Sequence, residues 1–143
     1  MTKTGDKLID TLRTELGKDV VLTGDDVHGR SAGIWRRDTI QAKALVRARS
    51  TQEVSRAMAI CHAHNQRVIA HGGLTGLVHG SDTSPDDVVI SLERMNLIEE
   101  IDPIDRTAVV QAGVILQTLQ EAADAQGLMS VSYTHLTLPT NRE

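Results

Sequence analysis

The sequence predicts an α+β fold, a strand–helix–strand unit followed by a small, partly antiparallel sheet and a helix. Three observations predict it. A capped amphipathic helix lies between two short apolar runs, Ala44–Ala48 and Val68–Ala70. A glycine-dense loop follows the second run, from His71 to Ser81, and leads to a third, Val88–Leu92. Two further runs, Ile98–Ile101 and Thr107–Ala112, flank a turn at Asp102-Pro103-Ile104-Asp105, the pattern of a hairpin.

Each element has its own signal. Leu8, Ile9, Leu12 and Leu16 recur at helical spacing, and Gly17 is placed to stop that helix. From Val20 to Asp38 turn residues crowd out any period, so this stretch reads as irregular connection. Ser50 and Glu53 form a capping box, opening a helix whose apolar stripe is Val54, Met58 and Cys61 beside Ala57 and which Asn65 ends. Ser84-Pro85-Asp86-Asp87 is a turn before the third strand. Gly113 begins the last helix, with Leu116, Leu119 and Ala123 on one face and Gly127 as its stop.

At 143 residues the chain has room for one core. Aromatics are 1%, Trp35 and Tyr133 alone, so Val, Ile, Leu, Met and Ala must build it. A formal net charge of −4 with mixed signs offers no basic patch for nucleic acid. The lone Cys61 excludes an internal disulfide and fits a reducing compartment. No secretory leader heads the chain and no apolar run approaches the roughly 20 residues of a membrane span, so a cytoplasmic protein is expected.

The glycine loop carries the chemistry. Gly72, Gly73, Gly76 and Gly80, with Thr75 and Ser81, leave the backbone open to close approach. Successive N–H groups in such a loop converge on an anion, and a phosphate-bearing cofactor is the ligand expected. A nicotinamide fingerprint fits worse, because the loop lacks G-x-G-x-x-G opening a helix. No Gly-Lys-Ser/Thr of a kinase-type phosphate loop occurs.

The order of these landmarks resembles the FAD-linked oxidases of the vanillyl-alcohol-oxidase/PCMH fold. It is most similar to the branch containing glycolate oxidase (its D-type subunit), D-lactate dehydrogenase and D-2-hydroxyglutarate dehydrogenase. The matching segments are Ser50-Thr51-Gln52-Glu53-Val54, the loop His71–Gly80, Ser91-Leu92-Glu93-Arg94-Met95-Asn96 and Val110-Gln111-Ala112-Gly113-Val114. The resemblance runs from about Asp38 to Gly127. It implies a PCMH-type FAD-binding fold in truncated form. Residues 1–37 are an N-terminal helix and irregular lead-in, and 38–130 a partial FAD-binding domain. Residues 131–143 resemble a translated sequencing-adapter tail and are expected to be non-native.

The resemblance assigns FAD binding to His71, Gly72, Gly73, Leu74, Thr75, Gly76, Leu77, Gly80, Ser81 and Gly113. The amides from His71 to Gly76 would hold the pyrophosphate, helped by the side chains of Thr75 and Ser81. Leu74 stands where some relatives tether FAD through a histidine, so FAD is expected to be non-covalent. His79 replaces a glycine typical of the branch, which puts local loop geometry in question. Ala70 replaces its usual proline.

The implied function is oxidation of a small D-2-hydroxy acid, of the glycolate, lactate or 2-hydroxyglutarate type. The second flavin-contacting segment, the substrate cap and the catalytic or metal-binding histidines of the family lie downstream of these residues. No catalytic residue is therefore assigned, and the chain alone is expected to be inactive and to bind FAD weakly. The alternatives are a stand-alone nucleotide- or phosphate-binding module and a non-functional gene fragment.

Other residues have plainer readings. His71 and His79 are loop hydrogen-bonding residues and His28 is a surface residue. Cys61-His62-Ala63-His64 is not a metal site, because on a helix His62 points away from Cys61 and His64. Arg94 either binds an anion or pairs with Asp86, Asp87 or Glu93. Trp35 is expected to be a packing anchor.

Overall fold

The computed structural model describes residues 3–130. In chain order the elements are α1 (Lys3–Leu16), β1 (Val21–Leu22), α2 (Asp25–His28), β2 (Ala44–Arg47), α3 (Thr51–Ala63) and β3 (Val68–His71). They continue with β4 (Val88–Ser91), β5 (Ile98–Asp102), β6 (Thr107–Val110) and α4 (Leu116–Asp124). The main sheet has the order β1-β2-β4-β3, with β2, β4 and β3 parallel and β1 antiparallel on the edge. Strands β5 and β6 pair antiparallel as a separate ribbon, the expected hairpin. Asp102 shapes its turn by accepting from the N–H groups of Ile104 and Asp105 at 2.7 and 3.0 Å.

Strand alternation divides the core in two. Ala44, Val46, Val88 and Ile90 face α1 and α3, where Leu8, Leu12, Leu16, Ala57, Ile60 and Cys61 complete a closed cluster. Leu45 and Val89 face the opposite way and meet Val27, Ile40 and Ala42. Parallel strands covered on both faces read as continuous apolar runs, and Val88-Val89-Ile90 is one. The stretch from Val20 to Asp38 is thus more ordered than its turn residues suggest. It holds β1, α2 and a bridge between Ser31 and Thr39, because Val20, Val21 and Val27 are buried against the sheet.

Helix boundaries follow their caps. Gly17 has φ +99°, a left-handed stop after α1. Ser50 Oγ accepts from Glu53 N–H at 3.2 Å. The Glu53 carboxylate reaches one residue further back than a capping box requires, accepting from Arg49 N–H at 2.8 Å. Asn65, at φ 49°, lies just past α3. The buried face of α3 is Ala57, Ile60 and Cys61, whereas Met58 is exposed. Helix α4 starts at Leu116, later than Gly113, with Ile115 extended as its N-cap, while Gly113 N–H donates to Met95 O at 2.8 Å. A Cβ at Gly113 would fall 1.8 Å from the Leu92 carbonyl oxygen, so this glycine is required by packing.

Candidate cofactor-binding site

The parallel register aligns Arg47, Ser91 and His71 as neighbours in one row across the carboxyl ends of β2, β4 and β3. All three lie on the Leu45/Val89 face, which the lead-in covers. Their row borders a cavity of about 330 Å³ whose wall includes Arg30, Ser31, His71, Gly72, Ser91 and Glu93. Ligands of open α/β sheets bind beyond the carboxyl ends of strands, and this cavity is at such an end.

Charge in the cavity is arranged around Glu93. Its carboxylate bonds to Arg30 Nη2 and, at 2.5 Å, to Arg47 Nε. Two guanidiniums against one carboxylate leave a net positive site beside Gly72. His71 is 2% exposed, and its Nε2 lies 2.9 Å from the Ser81 carbonyl oxygen. Burial lowers its pKa; the Ser81 carbonyl opposes that and the Arg30 charge adds to it.

The glycine loop leaves β3 directly. A Cβ added to Gly72, Gly76 or Gly80 would meet nothing within 4 Å, and one at Gly73 only the Thr75 methyl at 3.9 Å. None of the four has left-handed φ. Neither packing nor backbone conformation therefore requires glycine at these positions, in contrast to Gly113. Among the described residues, no N–H from Gly72 to Ser81 donates to a protein acceptor. An open backbone with a run of free N–H groups beside a positive cavity is a donor set that fits a diphosphate. The left-handed positions in the loop are instead Leu74, at φ 56°, and His79, at φ 60°. The second is where the family branch typically carries glycine, so His79 keeps the conformation that a glycine there would take up freely.

A second groove, about 220 Å³, adjoins the first at Leu74 and is walled by Trp35, Gly76, Leu77 and His79. Trp35 is 76% exposed, so it is not the packing anchor expected from the sequence. The arm that carries it is held to the loop. Ile34 N–H donates to Leu74 O at 3.4 Å, and Arg36 bonds to both Asp38 and Asp82. The Arg36 guanidinium holds both carboxyls below the usual range.

Comparison with known proteins decides the family. A family model described as "FAD binding domain" matches residues 42–137. The chain belongs to this FAD binding domain family. Its cofactor is FAD. Among curated relatives, D-2-hydroxyglutarate dehydrogenase of Stutzerimonas stutzeri (strain A1501) is 34% identical over 122 residues, covering 85% of this chain and 26% of the relative. Glycolate oxidase subunit GlcD of Bacillus subtilis (strain 168) is 35% identical over 85 residues, covering 59% of this chain and 18% of the relative. The FAD-binding chain thus spans about a quarter of the length of the first of these. The fold matches that of 4-ethylphenol oxidase from Gulosibacter chungangensis, with TM-score 0.74 and 22% identity over 89% of this chain and 25% of that one. The expected PCMH-type FAD-binding fold is therefore the one found.

Within the FAD-binding domain the structure gathers His71, Gly72, Leu74, Gly76, Leu77 and Ser81 around the cavity and groove. Gly73, Thr75 and Gly80 stand exposed in the same loop, outside both linings. Gly113 is set apart, packed on the Leu92 carbonyl. Arg94 makes none of its three expected pairs, since Asp87 bonds to Arg67 and Glu93 to Arg30 and Arg47. Cys61 is buried in the core, where burial raises its thiol pKa. No group of metal-ligating residues occurs among the described residues. Among them, too, no helix is long and apolar enough to cross a membrane. The tail segment 131–143 lies outside the described residues.

Sequence reading missed Arg30, Arg47 and Glu93. Glu93 had a faint signal, two residues beyond Ser91 and so on the same side of an extended chain. Arg30 had none, because only tertiary packing carries the lead-in across the sheet.

Proposed function

We propose that this chain is the FAD-holding part of an oxidoreductase acting on a small D-2-hydroxy acid. The observation that carries the reading is the run of unpartnered N–H groups from Gly72 to Ser81, opening on a cavity made positive by Arg30 and Arg47. The loop amides, with the hydroxyls of Thr75 and Ser81, hold the diphosphate. His71 keeps the two ends of the loop together, and Glu93 positions the two arginines. When bound, FAD supplies the acceptor for the hydride leaving the α-carbon of the substrate. Leu74 offers no nucleophilic atom at the tether position, so the cofactor is held without a covalent bond.

The substrate class rests on relatives named D-2-hydroxyglutarate dehydrogenase, D-lactate dehydrogenase and glycolate oxidase subunit GlcD. No group among the described residues is assigned to take the hydroxyl proton. The buried reduced-type Cys61 fits a cytoplasmic setting.

The test is calorimetric titration of the purified 143-residue chain with FAD and with ADP, followed by assays with D-2-hydroxyglutarate, D-lactate and glycolate. Weak FAD binding without turnover is expected. Tight stoichiometric FAD binding with turnover of any of these acids would overturn the assignment as a part. ADP binding as strong as FAD binding, with no flavin spectrum on purification, would favour a nucleotide-binding module instead. One long sequencing read of the native locus across the codon for Met129 tests the proposal that 131–143 is not native.

A further inference from the structure

We infer that Arg36 is a positioning residue for the cofactor loop, latching the lead-in arm to Asp82 so that the loop keeps its ligand-ready shape. The inference rests on the reading that the loop from Gly72 to Ser81 holds the diphosphate. It adds a residue outside that loop, acting through Asp82 and not on the ligand.

The arm is a built element. Ser31 and Thr39 bridge its two sides, Ala32 N–H donates to Asp38 O at 3.0 Å, and Ile40 N–H donates to Arg30 O at 2.9 Å. The Ser31 hydroxyl closes the tip by donating to the Gly33 carbonyl at 2.8 Å. Buried Ile40 anchors this fold-back in the smaller apolar cluster, so its base is fixed independently of the loop.

Among the described residues, the hydrogen bonds between the lead-in and the loop segment run one way. Ile34 N–H donates to Leu74 O at 3.4 Å, Gln41 N–H to Thr83 Oγ1 at 2.9 Å, and Arg36 Nη1 to the Asp82 carboxylate. The loop segment is gripped by its acceptors, which leaves its N–H groups for an anion. Arg36 is itself held at both ends, since Nε and Nη2 fork onto Asp38 of the arm while Nη1 takes Asp82. A planar guanidinium fixes direction as well as distance, which a lone backbone bond of 3.4 Å does not.

The loop needs such a hold. Leu74 and His79 have left-handed φ of 56° and 60°, a conformation that residues with a Cβ leave when released. Leu74 is tied at its own carbonyl, and His79 lies just ahead of the latched Asp82. Unlatched, the loop spreads over more conformations, and apparent affinity falls with the fraction that can bind. Asp82 alone works the other way, because a bare carboxylate beside the loop repels a diphosphate. Removing Asp82 therefore separates latching from repulsion by the sign of the change.

The experiment measures FAD and ADP affinities, by calorimetry, of the 143-residue chain, Arg36→Met, Asp82→Ala and the double variant. Arg36→Met keeps the stem that lies beside Gly33 and removes every donor. Each single variant is expected to weaken both ligands by roughly threefold to fivefold, the scale of a surface ion pair. The double variant should bind no more weakly than either single one, because both remove the same interaction. Arg36→Lys, which keeps the charge but not the fork, should recover part of the loss. Unfolding temperature should stay near the parent's, while backbone amide order parameters from Gly72 to Ser81 should fall. Tighter or unchanged binding in Asp82→Ala would overturn the inference while leaving the diphosphate reading intact. Additive losses in the double variant would overturn it too, by making Arg36 a direct ligand contact. Failure of the parent chain to bind either FAD or ADP would remove the diphosphate reading and this inference with it.

Discussion

The imidazole Nε2 of His71 lies 2.9 Å from the carbonyl oxygen of Ser81, so the residue that opens the glycine loop is bonded to the one that closes it. A carbonyl oxygen only accepts, which assigns the ring proton to Nε2 and leaves His71 as donor. The clasp fixes the loop ends while the backbone between them stays free for a ligand. Nε2 donates in either protonation state, but burial and the neighbouring Arg30 charge make the ring's placement there depend on its being neutral.

That dependence sets a pH profile. Burial, offset in part by Ser81, lowers the His71 pKa below the ordinary histidine value of about 6.5. The unfolded chain therefore binds the proton first as pH falls. The stabilisation is complete above about pH 6.5 and is lost as pH falls from there through the lowered native value. Thermal unfolding of the parent and His71→Gln from about pH 8 to about pH 5 checks this. The parent should lose unfolding temperature across that span by more than the variant, and parallel curves would count against it.

The glycines of the loop and Gly113 should respond oppositely to alanine. Gly72→Ala and Gly76→Ala add a Cβ into open space, so stability should move by no more than about 0.5 kcal/mol. Their FAD affinity should fall severalfold, because the new methyl stands where the ligand approaches. Gly113→Ala drives a Cβ into the Leu92 carbonyl and should cost about 3 kcal/mol, at the upper end of overpacking. Denaturant melts beside FAD titrations separate the two behaviours.

His79 occupies a left-handed position at φ 60°. The conformation costs a side-chain-bearing residue about 1 kcal/mol, which glycine avoids. Its contact with Asp82, 3.2 Å long and exposed, contributes little. His79→Gly should therefore raise stability by up to about 1 kcal/mol, read as an increase in unfolding temperature. A decrease would show that the Asp82 contact outweighs the backbone relief.

Glu93 neutralises part of the charge beside Gly72. Glu93→Gln keeps the shape but weakens both arginine contacts, and with side chains about one-third exposed the cost should be about 1 kcal/mol. The same change unmasks positive charge in the cavity. ADP affinity should rise at low salt and fall more steeply as salt is added, relative to the parent. Salt-independent ADP affinity in the variant would place the phosphates away from these arginines.

Much of this molecule is legible along the chain because its signals are local. The Ser50 cap, the stop at Gly17, the apolar run Val88–Ile90 and the Asp102 turn each depend on residues a few positions apart, and each appears where its pattern predicts. The glycine loop is equally plain, since so many glycines after one strand have few other uses. Local signals failed where distant contacts compete with them. Helix α4 begins only at Leu116, after Gly113 has packed against the Leu92 and Met95 carbonyls and Ile115 has run extended, and Met58 leaves the α3 stripe because α1 covers Ala57, Ile60 and Cys61 instead.

By itself, then, the sequence determined the strands and helices other than β1 and α2, and the loop that presents N–H groups, through spacing, capping and glycine content. Only the tertiary structure decided what surrounds that loop. The parallel register set Arg47, Ser91 and His71 in one row, and the lead-in delivered Arg30 and Trp35 to its flanks. The reason is physical: a strand pattern encodes which face is buried, while lateral order and the path of a connecting segment depend on contacts between residues far apart in the chain.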